Sequence, residues 1–174
     1  MKHPPGRHLG AILLGLVLFL VGLTPACQSK ISNPQELVPF LKVDLPGWKL
    51  AAGYPQAKRM QDQERSFLQA ESHFSSGKST LTVLIREGKI ANELAMYKQL
   101  LQGKDSEKEH CQKTRIQGFE ALEMVSLNLK SAFLFILVGD QCLVTMKVTD
   151  AEDTKVLKEL GNKINLPKLA ALVK

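Results

Sequence analysis

Ala132-Phe133-Leu134-Phe135-Ile136-Leu137-Val138 is apolar at all seven positions. That length suits a strand and is short for a helix buried all round. Successive side chains of a strand point to opposite faces. A strand apolar on both faces has to be covered on both faces, so this one belongs inside a sheet with layers on either side. Phe133, Phe135 and Val138 are expected to be buried, and Leu134 and Ile136 on the opposite face as well.

The flanking sequence builds a meander around it. Downstream, Gly139-Asp140 fits a tight hairpin turn, and Cys142, Val144, Met146 and Val148 alternate with Leu143, Thr145, Lys147 and Thr149. Upstream, Asn128–Ser131 reads as a turn, Phe119–Leu129 as a strand, Gln117-Gly118 as another turn and Lys108–Gln117 as a further strand. Short turns of this kind join antiparallel neighbours.

The N-terminal half supplies the other strands. Glu64–Ser75 places Leu68, Ala70 and Phe74 on one side, Ser75–Lys78 is a turn, and Ser79–Glu87 places Leu81, Val83 and Ile85 on one face. Trp48–Ala51 reads as a short first strand, and the polar Ala52–Asp62 segment, with Gly53 and Pro55, as a loop. The period then changes: Ile90, Leu94, Tyr97 and Leu101 form one helical face, with Gly103 at the C-cap position. Asn33-Pro34-Gln35-Glu36 is a helix start with Asn as N-cap, and Pro39 keeps that helix short or kinked. Asp150 is the expected N-cap of a final helix that buries Val156, Leu157, Leu160 and Ile164, with Gly161 allowing close packing. Pro167 starts a last turn carrying Leu169 and Leu172. The expected class is α+β: a mainly antiparallel sheet of six to seven strands sandwiched by helices, one domain over residues 33–174.

The chain has 174 residues, a formal charge of +6 and 44% hydrophobic residues, which excludes collagen-like and disordered classes. Its one long apolar run, Leu9–Leu23, follows Lys2 and Arg7, as in a secretory signal. Fifteen helical residues reach about 22 Å, short of the roughly 30 Å bilayer core, so residues 1–26 read as a cleaved signal and 27–32 as a tether. Leu23-Thr24-Pro25-Ala26-Cys27 resembles the lipobox of bacterial lipoproteins, with Thr24 and Pro25 departing from the usual pattern. The resemblance implies that Cys27 is acylated, by palmitate or a similar chain, and becomes the mature N-terminus. Gln28, in place of Asp, implies sorting to the outer membrane, facing the periplasm. Thr24-Pro25-Ala26 also suits ordinary signal peptidase, so a soluble periplasmic or secreted protein is the alternative.

Three cysteines in an exported chain leave one over. With Cys27 acylated, Cys111 and Cys142 are either a disulfide or two buried thiols. A four-strand meander sets their strands about 14 Å apart, so a bridge requires another strand order. The element order across residues 34–172, with Pro46-Gly47-Trp48 at the first strand, resembles the PsbP/Mog1-like fold, in which exported and lipid-anchored members occur. The resemblance implies an architecture and no site.

Chemical motifs are sparse. Only His73 and His110 lie beyond the leader, with no C-x-x-C or H-x₃-H spacing, so the sequence offers no metal or cofactor site. Gly77-Lys78-Ser79 lacks the upstream glycine and the following helix of a phosphate loop. Glu120 and Glu123 fall on opposite strand faces and form no catalytic pair, and Glu71 and Glu87 read as solvent-facing. The most basic window, Lys104–Arg115, is interleaved with Asp105, Glu107 and Glu109, a solvated face rather than a nucleic-acid stripe. Trp48 reads as a core anchor or a contact residue. Tyr54, Lys58 and Arg59 form a candidate contact loop. No catalytic residue is identified. The expected function is a non-catalytic binding or accessory module, held at a membrane by its lipid and serving an envelope partner. The alternative is an envelope enzyme whose site is assembled from distant residues.

Overall fold

The computed structural model describes residues 31–61, 66–102 and 109–174. The leader, Cys27, most of the tether and Gly103 lie outside them. The fold is α+β: one antiparallel sheet of eight strands between helical layers. After a 3-10 helix at Pro34–Leu41 come β1 (Lys49–Leu50), β2 (Gln56–Gln61), β3 (Ser66–Ser76) and β4 (Ser79–Gly88). Helix α1 (Ala91–Gln102) leads to β5 (Glu109–Ile116), β6 (Phe119–Ser126), β7 (Ser131–Leu137) and β8 (Cys142–Thr149). Helices α2 (Lys155–Lys163) and α3 (Leu166–Val173) end the chain. The strand order is β1-β3-β4-β8-β7-β6-β5, with β2 also pairing with β3.

Strand β7 lies inside the sheet, paired with β6 and β8 along its length. Its even-numbered side chains Leu134, Ile136 and the adjoining Val138 are fully buried in the larger core. That core includes Leu37, Phe40 and Leu41 of the 3-10 helix, Leu157 and Leu160 of α2, and Leu166 and Leu169 of α3. Phe135 packs on the other face in a smaller core with Phe67, Ile90, Tyr97, Leu122 and Leu143. Val138 thus shares a face with Leu134, and Phe133 is only half-buried because α1 stops short of covering it.

Local chemistry sets the element ends. Asn33 accepts from the Gln35 amide at 3.0 Å, and Glu36 returns a bond to the Asn33 amide at 3.3 Å, completing a capping box. The β5–β6 turn puts Gln117 and Gly118 at positive φ, the pattern of a tight hairpin. From there Gln117 Nε2 donates to the carbonyls of Gly161, Asn162 and Ile164 at 2.9, 3.2 and 2.6 Å. It satisfies backbone acceptors that a helix C-terminus leaves open. Gly161 does allow close packing: a Cβ there would meet Ile116 and Ile136 at 3.3 Å.

Three further expectations are corrected and one open alternative is decided. Residues Gln56–Gln61 form strand β2, not a loop, bringing the strand count to eight. Their polar sequence hides the period, but the long edge of β3 offers unpaired backbone groups that six residues of β2 satisfy. Helix α2 begins at Lys155 rather than after Asp150. Asp150 has φ 51, and the Ala151 amide donates to the Lys130 carbonyl at 3.2 Å, which holds this segment out of helical geometry. Ile31, read as tether, is buried in the core. Cys111 and Cys142 are not bridged, because β6 and β7 lie between their strands.

The unequal cover of β7 yields a stability test. Leu134→Ala is expected to cost about 2–5 kcal/mol in denaturant unfolding, and Phe133→Ala distinctly less than Phe135→Ala. Equal losses at Phe133 and Phe135 would contradict an open sheet face beside α1.

Candidate functional site

The two faces of the sheet each carry a concave feature. On the first, the 3-10 helix and α3 border a groove of about 850 Å³. Phe40, Val43, Ala171 and Leu172 give it an apolar lining. Its rim is charged, with Glu36 and Asp44 against Lys42, Lys163 and Lys168. Lys163 Nζ donates to the Asp44 carbonyl at 2.9 Å and pairs with Glu159 at 3.3 Å, tying the end of α2 to the segment after the 3-10 helix.

On the second face lies a cleft of about 430 Å³ between α1 and the sheet. Met96 and Leu100 of α1 form one wall, and Leu84, Met124, Phe133 and Phe135 form the floor. Thr82, Thr145 and Lys147 line the remainder. The Phe133 and Phe135 rings are parallel within 6°, with centroids 6.2 Å apart. Lys147 Nζ sits 5.6 Å from the Phe133 ring centroid, within cation–π range. Thr82 Oγ1 lies 3.3 Å from His73 Nδ1, and the His73 ring packs on Tyr54 at 4.4 Å.

A polar network fixes the start of α1. Arg86 Nε donates to Gln69 at 3.0 Å, Gln69 donates to Glu71 at 3.1 Å, and Arg86 also meets Glu93 of α1 at 3.4 Å. Further along α1, the Tyr97 hydroxyl is buried without a hydrogen-bond partner among the described residues. Burial first, and the Glu120 carboxylate second, raise the Tyr97 pKa above its ordinary value. Behind β6, Glu123 is buried but satisfied: it accepts from the Thr154 hydroxyl and pairs with Lys158 at 3.1 Å. At the same helix start Asp153 accepts from the Lys155 amide at 3.0 Å, and the hydrogen bonds from Lys155 lower its carboxyl pKa.

The candidate contact residues do not converge. Lys58 and Arg59 sit on β2, where consecutive side chains face opposite ways. Arg59 reaches the Ser32 carbonyl at 2.8 Å on the first face, while Tyr54 rests on His73. Trp48 is half-buried against the larger core. Glu120 and Glu123 do lie on opposite faces, and Cys111 and His110 pair with Met124 and Val125 in successive register positions. Glu87, read as solvent-facing, is 1% exposed beside Cys142, because its strand face is the covered one. Burial chiefly, with the Glu87 carboxylate second, raises the Cys142 thiol pKa far above its ordinary value.

Sequence reasoning missed both grooves. Their linings come from separate elements, and period two signals which face a residue takes, not whether a helix covers it. Among the described residues no group of three or more His, Cys, Asp or Glu is placed to hold a metal, and no helix is long and apolar enough to cross a membrane. Comparison with known proteins finds no matching family, no matching characterised protein and no matching solved structure.

Two measurements check these environments. Tyr97→Phe removes an unpartnered buried hydroxyl, so stability is expected to hold or rise by up to about 1 kcal/mol; a loss of that size would reveal a hidden partner. A thiol reagent at pH 8 is expected to leave Cys142 unmodified until denaturant is added, since only the thiolate reacts. Modification of the folded protein at Cys142 would contradict its buried, protonated state.

Proposed function

We propose that the protein is a lipid-anchored module of the bacterial cell envelope that binds a partner rather than transforming a substrate. The observation that carries this reading is the apolar leader closing at Ala26-Cys27, with a buried core residue, Ile31, only four positions later. Four residues of chain span at most about 14 Å. An acylated Cys27 therefore holds the 3-10 helix, and the groove it borders, close to the membrane surface. Gln28 favours the outer membrane, with the domain in the periplasm. The element order resembles that of PsbP/Mog1-like folds, which include lipid-anchored members.

The groove between the 3-10 helix and α3 is the surface offered to an envelope protein. Its apolar floor gains from burial, while its rim of both signs suits a polar protein partner better than a uniformly charged one. A soluble exported form is the second reading, favoured by the small-residue pattern Thr24-Pro25-Ala26.

Fractionation and mass spectrometry decide between them. The native chain is expected in the membrane fraction with a diacylated or triacylated Cys27 at its N-terminus, and Cys27→Ser in the soluble fraction. An unmodified Cys27, or a mature N-terminus elsewhere, would overturn the anchor.

A further inference from the structure

The cleft beside α1 is separate from the groove assigned to a partner: it lies on the other face of the sheet and does not depend on the anchor. Its composition is uneven in a useful way. The floor and one wall are Leu84, Phe133, Phe135, Met124, Met96 and Leu100, with no charge among them. Met96 is 44% exposed, although it sits on the helix wall of an apolar cleft. Methionine is unbranched and adapts to a flexible apolar occupant. The volume, about 430 Å³, falls within the range of small-molecule pockets.

The polar groups are one cation and two hydroxyls. Lys147 lies on β8 and Thr145 two residues before it, so both project from the same strand face; Thr82 of β4 pairs across from Lys147. The Lys147 ammonium rests over the Phe133 ring and forms no ion pair with a carboxylate among the described residues, so it places positive charge at the edge of the apolar floor. One ammonium without an arginine fork matches one negative charge rather than a phosphate dianion.

We propose that this cleft binds a long-chain carboxylate. The acyl chain lies along Phe133 and Phe135 beneath Met96 and Leu100. The carboxylate is held by Lys147, with the Thr145 hydroxyl placed to donate a second hydrogen bond. Charge complementarity selects this occupant over a neutral chain, and a cleft of about 430 Å³ suits one acyl chain rather than the two of a diacyl phospholipid.

The test uses the full chain in neutral phosphatidylcholine vesicles and a diazirine-bearing long-chain carboxylate, with cross-links mapped by mass spectrometry. Cross-links are expected on the Met96–Leu100 and Met124–Phe135 segments. A charge-assisted contact predicts that an unlabelled carboxylate competes about tenfold better than the alcohol of equal chain length. Lys147→Glu is expected to abolish that preference, and Lys147→Gln to give the same comparison if the Glu variant fails to fold. Cross-links elsewhere, equal competition by the alcohol, or a preference surviving loss of Lys147 would each overturn the proposal. So would stronger competition by an anionic phospholipid.

Discussion

The structure depends on one demand: β7 has two apolar faces and both must leave water. Fully burying a Leu, Ile or Phe side chain gains about 1.5–3 kcal/mol, so neither face is dispensable. The strand can satisfy this only from inside the sheet, and β6 and β8 flank it there. Each face then needs its own cover. On one side the 3-10 helix, α2 and α3 together close over Leu134, Ile136 and their neighbours. Close approach there rests on Gly161, whose missing side chain leaves room for Ile116 and Ile136.

The opposite face has less to cover it. A helix of twelve residues such as α1 spans about 18 Å, whereas seven strands spaced at about 4.8 Å spread over nearly 30 Å. α1 is also held to one region, because Arg86 binds Glu93 in its first turn and Tyr97 packs into the smaller core. Phe135 is covered and Phe133, two residues along the same face, is only half-buried. The cleft is therefore a consequence of mismatch between a wide sheet and a short helix. Lys147 completes the mismatch by shielding part of the Phe133 ring with its own cation.

Much of this architecture was legible because its residues obey a period. Leu81, Val83 and Ile85 alternate, Ile90 and Tyr97 repeat at helical spacing, and Asn33 with Glu36 form a cap that the structure reproduces. What failed to show in sequence was decided at a distance. Strand β2 has no apolar pattern and exists because β3 has an edge to fill. The delay of α2 depends on an amide of Ala151 finding a carbonyl at Lys130. The burial of Glu87 follows from the face it shares with Ile85 and Cys142, which a charged residue in an alternating strand does not advertise. The two grooves belong to the same class, since each joins residues of at least two elements far apart in the chain.

Polar groups in the interior are met unevenly on both faces, and on the first the Ser72 hydroxyl is buried without a hydrogen-bond partner among the described residues. Where three helical segments close the first face, Glu123 gains both a hydroxyl from Thr154 and an ammonium from Lys158, so a buried carboxylate is paired by the helix that buries it. A carboxylate removed from water is tolerated on such terms and is costly without them. On the second face α1 supplies less: Tyr97 keeps an unpartnered hydroxyl and one oxygen of Glu93 is likewise unbonded among the described residues. Each such group costs about 1–3 kcal/mol relative to a satisfied one. The helix that leaves sheet surface open is thus also the one whose buried polar atoms are incompletely met. The face with the smaller apolar core is the less stable docking, and it is where an occupant that adds apolar contact has most to gain.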